Sequence, residues 1–282
     1  MNKLPQHKAS QYTDFGVHLR RIKSPASSHT PVTYAHQDDY YIFGLVEYGE
    51  GCGIIDFKEQ HFSSGEVFLI RPGQVHRFIS SANAEGWMLF ADSSLLGGAE
   101  KCIFDDFSLF ASSLLIDKRR QNELVQIVSI LANRVDSITD KQTKTTARRL
   151  AETFIGIVAE AVQNINLQQT KHSRRQIEIV LSFRRLLAAH LATSRQPSYY
   201  ASLLNISTVY LNETVKGVTG MNATSYIKNE AVLQAKRMLV HTDLAVKEIS
   251  DRLGIADYAY FSRLFTQATG ISPTLFRKRN LE

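Results

Sequence analysis

The sequence contains little of what marks secreted and membrane proteins. Its 282 residues include two cysteines, Cys52 and Cys102. Two cysteines this far apart exclude a disulfide scaffold and a cysteine-based zinc site. No apolar run approaches the roughly 18 residues that span a bilayer, and the first residues lack the apolar core of a secretory signal. We therefore expect a cytoplasmic protein with no membrane partner.

Positive charge is concentrated in the C-terminal part of the chain. The whole sequence has a formal net charge of +6. Residues 170–282 contain 16 Lys and Arg against 8 Asp and Glu, a net charge of +8, whereas residues 1–169 carry −2. This asymmetry indicates that the C-terminal part binds a polyanion such as nucleic acid. A solvated basic surface without a partner is the alternative.

The first hundred residues have the pattern of β-structure. Short apolar runs alternate with turns that are rich in Gly and Pro, as at Pro72-Gly73, where a type II turn places Gly at positive φ. Such spacing is typical of a sandwich or a barrel. A second turn-rich stretch covers residues 47–53. The predicted strands are Tyr40–Val46, Ile54–Phe57, Glu66–Ile70, Val75–Ile79 and Trp87–Ala91.

Helical periodicity replaces the β-pattern after about residue 115. One helix is predicted over Lys118–Asp136, with Asp117 as its N-cap, and a second over Thr143–Asn164. Their apolar stripes must pack on the barrel or pair with a second subunit. A polar linker follows at residues 168–174. We expect two domains, residues 1–169 (barrel about 1–115, helices about 116–168) and residues 170–282.

The last hundred residues contain an internal repeat with an offset of 50. The matched pairs include Tyr210 with Tyr260, Val215 with Phe265, and Thr219-Gly220 with Thr269-Gly270. Each copy is predicted as a short helix, a tight turn and a second helix, the helix-turn-helix pattern. Ser207 and Asp257 are suited to cap the second helices. The long helix predicted over Thr224–His241 separates the two copies.

The C-terminal segment resembles the signature of AraC/XylS-type transcription regulators. The most specific matches are the Tyr260-Phe261-Ser262-Arg263-x-Phe265 motif and the motif from Gly270 to Arg277. The resemblance covers residues from about 175 to the end. It implies a domain with two helix-turn-helix units, whose second helices enter successive segments of the DNA major groove.

The resemblance also implies which residues contact bases. Arg263 has the donors to pair with guanine and Asn212 those to pair with adenine, Glu213 accepts from cytosine, and Val209 and Ala259 contact a thymine methyl group. Solvated helix surface is the equal alternative for Glu213. The full predicted set is Thr208, Val209, Asn212 and Glu213 in the first unit, and Tyr258, Ala259, Ser262 and Arg263 in the second.

Regulators of this type often carry an N-terminal cupin-like barrel that binds a small effector. Gly65, Gly73 and His76 match the spacing of the second cupin motif, whereas the first motif, with its paired metal-binding histidines, is not evident. His36 and His76 are the two residues that could be nominated as ligands, fewer than a metal site needs, so we expect no metal or other cofactor. His76 is expected to close a turn or to hydrogen-bond inside the barrel. The effector-lining candidates are His36, Tyr41, Phe43, His76, Phe78 and Trp87, each with core packing as the alternative.

The predicted fold class is α+β with two domains, a cupin-like barrel with flanking helices and an all-α double helix-turn-helix domain. The predicted function is a sequence-specific DNA-binding regulator, an activator that responds to a small molecule, and not an enzyme. The resemblance adds RNA polymerase, a homodimer and a location at the nucleoid. The alternatives are a metal-dependent cupin enzyme with an appended helical domain and a helical adaptor that binds protein.

Overall fold

The computed structural model describes residues 6–8, 11–22, 34–80, 83–108, 111–135, 140–168 and 173–281. The chain divides into two compact units, and the division falls between residues 169 and 170. The first unit combines β-sheets with helices, and the second is helical. Among the described residues, no helix combines the length and the apolar character that crossing a membrane requires.

The first unit is built on two main antiparallel sheets. One sheet has the strand order β10-β7-β4-β9-β2, the other has the order β6-β5-β8, and β1 pairs with β3 in parallel. The strands are β1 (Gln6–His7), β2 (Val17–Ile22), β3 (Gln37–Asp38), β4 (Tyr41–Tyr48), β5 (Glu50–Ile55), β6 (Lys58–Ser63), β7 (Glu66–Ile70), β8 (His76–Ser80), β9 (Glu85–Ala91) and β10 (Ser113–Leu115).

Both faces of the five-stranded sheet are buried, because each packs against a different layer. Successive side chains of a strand point to opposite faces. In β4, Tyr41 and Phe43 belong to a core shared with helices, whereas Ile42 belongs to a core that it shares with residues of the three-stranded sheet. The continuous apolar run of this strand therefore reflects burial on both sides.

Helices cover the outer face of that sheet. They are α1 (Gly98–Phe107), α2 (Lys118–Val135) and α3 (Lys141–Gln168). The stripe Leu124, Val128 and Leu131 of α2 is fully buried, and so are Phe154 and Val158 of α3, all in one core with the sheet. The apolar stripes of both helices are thus covered by the chain itself, so a second subunit is not needed to bury them.

Most of the predicted elements of this unit are confirmed. Asp117 caps α2, since its carboxylate accepts from the backbone N–H of Arg120 at 2.9 Å. Gly73 has a φ of +80°, as the predicted turn requires.

Residues 47, 48 and 50–53 were wrongly placed in a turn; they belong to β4 and β5, and the hairpin turns at Gly49 with a φ of +74°. The predicted strand Ile54–Phe57 was wrong at its end, because β5 ends at Ile55 and Asp56 and Phe57 form the next turn, with φ of 48° and 66°. The prediction also missed β1, β2, β3, β6, β10 and α1, and the predicted helix end at residue 136 lies outside the described residues.

The second unit consists of two similar helix-turn-helix pairs around a central helix. Its helices are α4 (Arg174–His190), α5 (Pro197–Leu203), α6 (Thr208–Thr219), α7 (Ala223–His241), α8 (Val246–Arg252), α9 (Tyr258–Thr269) and α10 (Pro273–Leu281). The core includes Phe183, Tyr200, Leu211, Ala235 and Phe265, each fully buried. The apolar residues at helical spacing thus face the core of this unit, as expected for amphipathic helices.

The repeat in the sequence is a repeat in the backbone. The predicted caps are confirmed, because Ser207 accepts from the N–H of Tyr210 and Asp257 accepts from that of Tyr260. The turns also correspond, since Asn205 and Gly254 both adopt the left-handed conformation, with φ of 53° and 68°. The second helix therefore begins with the same local geometry in both helix-turn-helix pairs.

Candidate nucleic-acid interface and ligand pocket

The second helix of each pair presents to solvent a face on which polar and apolar side chains are mixed. On α6, Val209 has 67% of its surface exposed, and on α9, Tyr258 has 45% exposed. Glu213, Ala259 and Arg263 are exposed as well, whereas Thr208, Asn212 and Ser262 are half-buried. The eight predicted base-contacting residues thus lie on α6 and α9, four on each, and these two helices have the same place in the two copies of the repeat.

Asn212 differs from the rest because both ends of its amide are bonded within the protein. Its Nδ2 donates to the carbonyl of Thr208 at 3.1 Å, and its Oδ1 accepts from the backbone N–H of Ala223 at 3.1 Å. The second bond satisfies a donor in the first turn of α7 that has no partner within its own helix. Bidentate recognition of adenine needs both amide atoms, so this geometry makes Asn212 a residue that positions α6 against α7.

Two charged residues of the predicted set remain available for contacts. Among the described residues, Glu213 has no ion pair, and Arg263 lies 4.0 Å from the Asp257 carboxylate with 71% of its side chain exposed. An ion pair this long and this exposed is worth little. Arg263 is therefore free to turn its guanidinium toward a guanine edge, which offers two acceptors.

Close contacts to backbone carbonyls join the two helix-turn-helix pairs. Arg195, before α5, donates to the carbonyl of Leu253 at 2.7 Å. A Cβ at Gly254 would lie 2.0 Å from the carbonyl oxygen of Ala192, a distance that no side chain tolerates. The turn between α8 and α9 thus lies directly against the segment that precedes α5. This packing holds α6 and α9 in a fixed position relative to each other.

Basic residues near these helices divide into structural and exposed ones. Arg277 donates to the carbonyls of Leu239 and Leu244 at 2.9 and 2.7 Å, so it holds α10 against the end of α7. Lys216 and Lys228 are exposed. Lys228 also lines an open cleft of about 480 Å³ between the segment 193–197 and helices α7 and α9. Exposed lysines at such positions are suited to contact phosphates.

The structure does not bring the six effector candidates of the first unit together. Tyr41 and Phe43 face the helices, where the Phe43 ring lies 5.2 Å from that of Phe104. Trp87 packs at the edge of the same core, beneath the guanidinium of Arg21. The predicted placement of these three in a barrel interior is thus corrected, because a shift of one residue along a strand reverses the face.

The other three candidates lie on the inner side. His36 and His76 are buried neighbours with ring centroids 4.2 Å apart, and Phe78 packs at the core between the two sheets. Burial and the neighbouring His76 imidazole lower the pKa of His36 to about 4. The inner side chains that the sequence analysis missed include Tyr40, Phe68 and Phe90. Alternation along β4 and β9 was the available signal, but it was masked by burial on both faces.

Two known domain families match this chain. The AraC-like ligand binding domain matches residues 25–154, and the helix-turn-helix domain of a second family matches residues 200–279. The first match falls in the β-rich unit, and the second covers α6 to α9.

Several known proteins are similar to this chain. The transcriptional activator RhaS of Escherichia fergusonii is 21% identical over 86% of this chain and 87% of its own length. The transcriptional activator RhaR of Cronobacter sakazakii is 32% identical over 29% of each chain. Among solved structures, ToxT from Vibrio cholerae aligns with 93% of this chain and 97% of its own, with 12% identity and a TM-score of 0.44.

Proposed function

The chain belongs to the AraC/XylS-type family of transcription regulators, and on this premise we propose that α6 and α9 read two successive major-groove segments of one DNA site. It is a DNA-binding regulator with an effector domain. The observation that carries the proposal is the equivalence of the two units, with matching caps, turns and exposed helix faces. Two such helices fixed in one body suit two sequence blocks on one face of the duplex.

We assign different roles to the residues on these faces. Arg263 and Glu213 contact base edges, because they are exposed and chemically suited to guanine and cytosine. Val209, Tyr258 and Ala259 make apolar contacts, and Thr208 and Ser262 add polar ones. Asn212 is the exception and acts through the position of α6. Lys216 contacts phosphate, which fixes register without reading sequence.

We further propose that the first unit binds a small effector on its inner side, near His36, His76 and Phe78. We infer that the chain activates transcription, because the proteins RhaS and RhaR, to which it is similar, are transcriptional activators. Contact with RNA polymerase, assembly as a homodimer and a cytoplasmic location at the nucleoid are inferred from the family. Since the stripes of α2 and α3 are covered internally, a homodimer would use exposed positions such as Ile130.

DNA binding by the full-length protein tests the proposal. Purified protein is mixed with sheared DNA from its source genome, and the bound fragments are sequenced. We expect enrichment of a motif with two short blocks about 10–10.5 bp apart, one helical turn. The affinity for an enriched fragment should fall steeply with salt, because bound counterions are released. A flat salt dependence, or the absence of any enriched motif, would refute the proposal.

The metal-dependent cupin enzyme finds no support among these relatives, which are transcriptional regulators.

A further inference from the structure

Four side chains converge in the first unit where β1, β3 and β8 meet. Asp38 lies at the centre of this cluster. Its Oδ2 is 3.3 Å from Nε2 of His76 and 3.8 Å from Nε2 of His36, and its Oδ1 is 3.5 Å from Nδ1 of His7. The donor atoms of His7, His36 and Asp38 all lie within 4.8 Å of one another. Three imidazoles therefore surround one carboxylate.

The backbone explains this convergence. His36 and Asp38 are two residues apart in extended chain, so their side chains share a face. The parallel pairing of β1 with β3 sets His7 opposite Asp38. His36 and His76 exchange two backbone hydrogen bonds, of 3.0 and 2.9 Å, which brings their rings together. Segments far apart in the sequence thus supply the four groups.

The cluster centres on a buried carboxyl group. Asp38 has 2% of its surface exposed, and neither its carboxyl oxygens nor Nε2 of His76 has a hydrogen bond of normal geometry, although the Tyr40 phenol lies beside the Asp38 carboxyl group. A buried carboxylate is costly unless a cation or strong donors compensate it. The structure thus leaves buried acceptor atoms of Asp38 and His76 close together, 3.3 Å apart, without a hydrogen bond between them.

The two innermost histidines are oriented as metal ligands usually are. Nδ1 of His36 lies 3.0 Å from the carbonyl oxygen of Tyr34, and Nδ1 of His76 lies 3.1 Å from that of Gln74. A carbonyl at Nδ1 holds the proton there and leaves Nε2 as a lone-pair donor.

We propose that His7, His36, Asp38 and His76 bind one divalent transition-metal ion, with Zn²⁺ as the best fit. Three imidazole nitrogens and one carboxylate oxygen suit Zn²⁺ and disfavour Ca²⁺ and Mg²⁺, which take oxygen ligands. In a tetrahedral site with bonds of about 2.0–2.1 Å, neighbouring ligand atoms lie about 3.3–3.4 Å apart. From Oδ2 of Asp38, His76 lies at that spacing, 3.3 Å away, and His36 lies slightly farther, at 3.8 Å. His7 lies 3.5 Å from the other carboxylate oxygen, so a small side-chain adjustment would bring it into the same coordination sphere.

Four protein ligands leave no open position, which is typical of structural sites and not of catalytic ones. The ion would join β1 to β3 and β8. This inference deepens the proposed effector site, since His36 and His76 belong to both. It is tested without DNA, so its failure leaves the DNA-binding proposal standing.

The experiment measures Zn²⁺ bound by the full-length protein. After treatment with a chelator and its removal, equilibrium dialysis against Zn²⁺ with elemental analysis should give about one ion per chain. Co²⁺ should substitute and show the visible absorption of four-coordinate nitrogen and oxygen ligands. D38N and H76Q should each weaken the affinity by about tenfold or more, because even outer-shell changes cost 10–100-fold. H7Q changes a residue of a short peripheral strand and should also weaken binding, so it decides the question if D38N fails to fold.

The matched control is H61Q. His61 belongs to a second group of metal-ligand residues, with Cys52 and Glu59, in which His61 and Glu59 are exposed. We expect H61Q to retain full affinity. The proposal is overturned if no stoichiometric Zn²⁺ binds, if H7Q and H76Q bind as tightly as the parent, or if H61Q alone abolishes binding.

Discussion

The side-chain oxygen of Asn212 accepts a hydrogen bond from the backbone N–H of Ala223 at 3.1 Å. A side chain of α6 thereby satisfies the first backbone N–H of α7, beside the N-cap Asn222. At the equivalent positions of the second unit stand Ser262 and Pro273, and proline has no N–H to satisfy. At the start of the following helix, the first helix-turn-helix pair therefore satisfies a backbone N–H with a side chain, whereas the second has a proline and no N–H to satisfy.

Asn212→Ala is expected to lower the free energy of unfolding by about 1–2 kcal/mol, since it removes a cap and leaves the buried N–H of Ala223 unpaired. The preferred DNA sequence should not change. Thermal denaturation and DNA selection measure the two effects. Ser262→Ala is the control and should cost less than about 0.5 kcal/mol. A change of base preference with unchanged stability would instead make Asn212 a base contact.

Gly254→Ala is expected to be strongly destabilising. The residue has a φ of +68°, and its Cβ would lie 2.0 Å from the carbonyl oxygen of Ala192. Left-handed strain and overpacking together suggest a loss of about 2–4 kcal/mol. Asn205→Ala, at the equivalent turn with a φ of 53°, carries only the strain and should cost about 1 kcal/mol. Equal losses in denaturant unfolding would contradict the close contact at Gly254.

Lys216→Ala is expected to weaken DNA binding about equally for all sequences and to reduce the salt slope by about 1. Lys216 is exposed in the last turn of α6, and the proposal assigns it to phosphate and not to bases. Titrations of full-length protein against labelled duplex at several salt concentrations measure the slope. Arg119→Ala removes an exposed cation from the first unit and should leave the slope unchanged. The assignment fails if both variants behave alike.

Phe43→Ala is expected to destabilise the first unit by about 3–5 kcal/mol, the usual cost of emptying a buried phenylalanine site. Phe43 is fully buried between β4 and the helices, with its ring 5.2 Å from that of Phe104. Phe78 is only partly buried, so Phe78→Ala should cost less. Thermal unfolding of both variants compares them. A larger loss for Phe78 would contradict the assignment of the two faces.

Features with local sequence signals could be predicted, whereas those that depend on long-range pairing could not. The caps Ser207 and Asp257 depend on residues within three positions, and the structure confirms both. The inner face of β4 was missed because both faces are buried, so the run from Tyr40 shows no alternation. Asp38 and His7 were missed as neighbours of His36 and His76, because only the pairing of the short strands β1 and β3 brings them together.

The central claim is that α6 and α9 each read one of two blocks in a single DNA site. Selection from a random DNA library with the parent protein, Val209→Ala and Arg263→Ala tests this claim most directly. We predict two blocks about 10–10.5 bp apart for the parent, with Val209→Ala relaxing only one block and Arg263→Ala only the other. The Arg263 change should cost about 1–3 kcal/mol on the preferred site. A single block, or both variants relaxing the same block, would contradict the account.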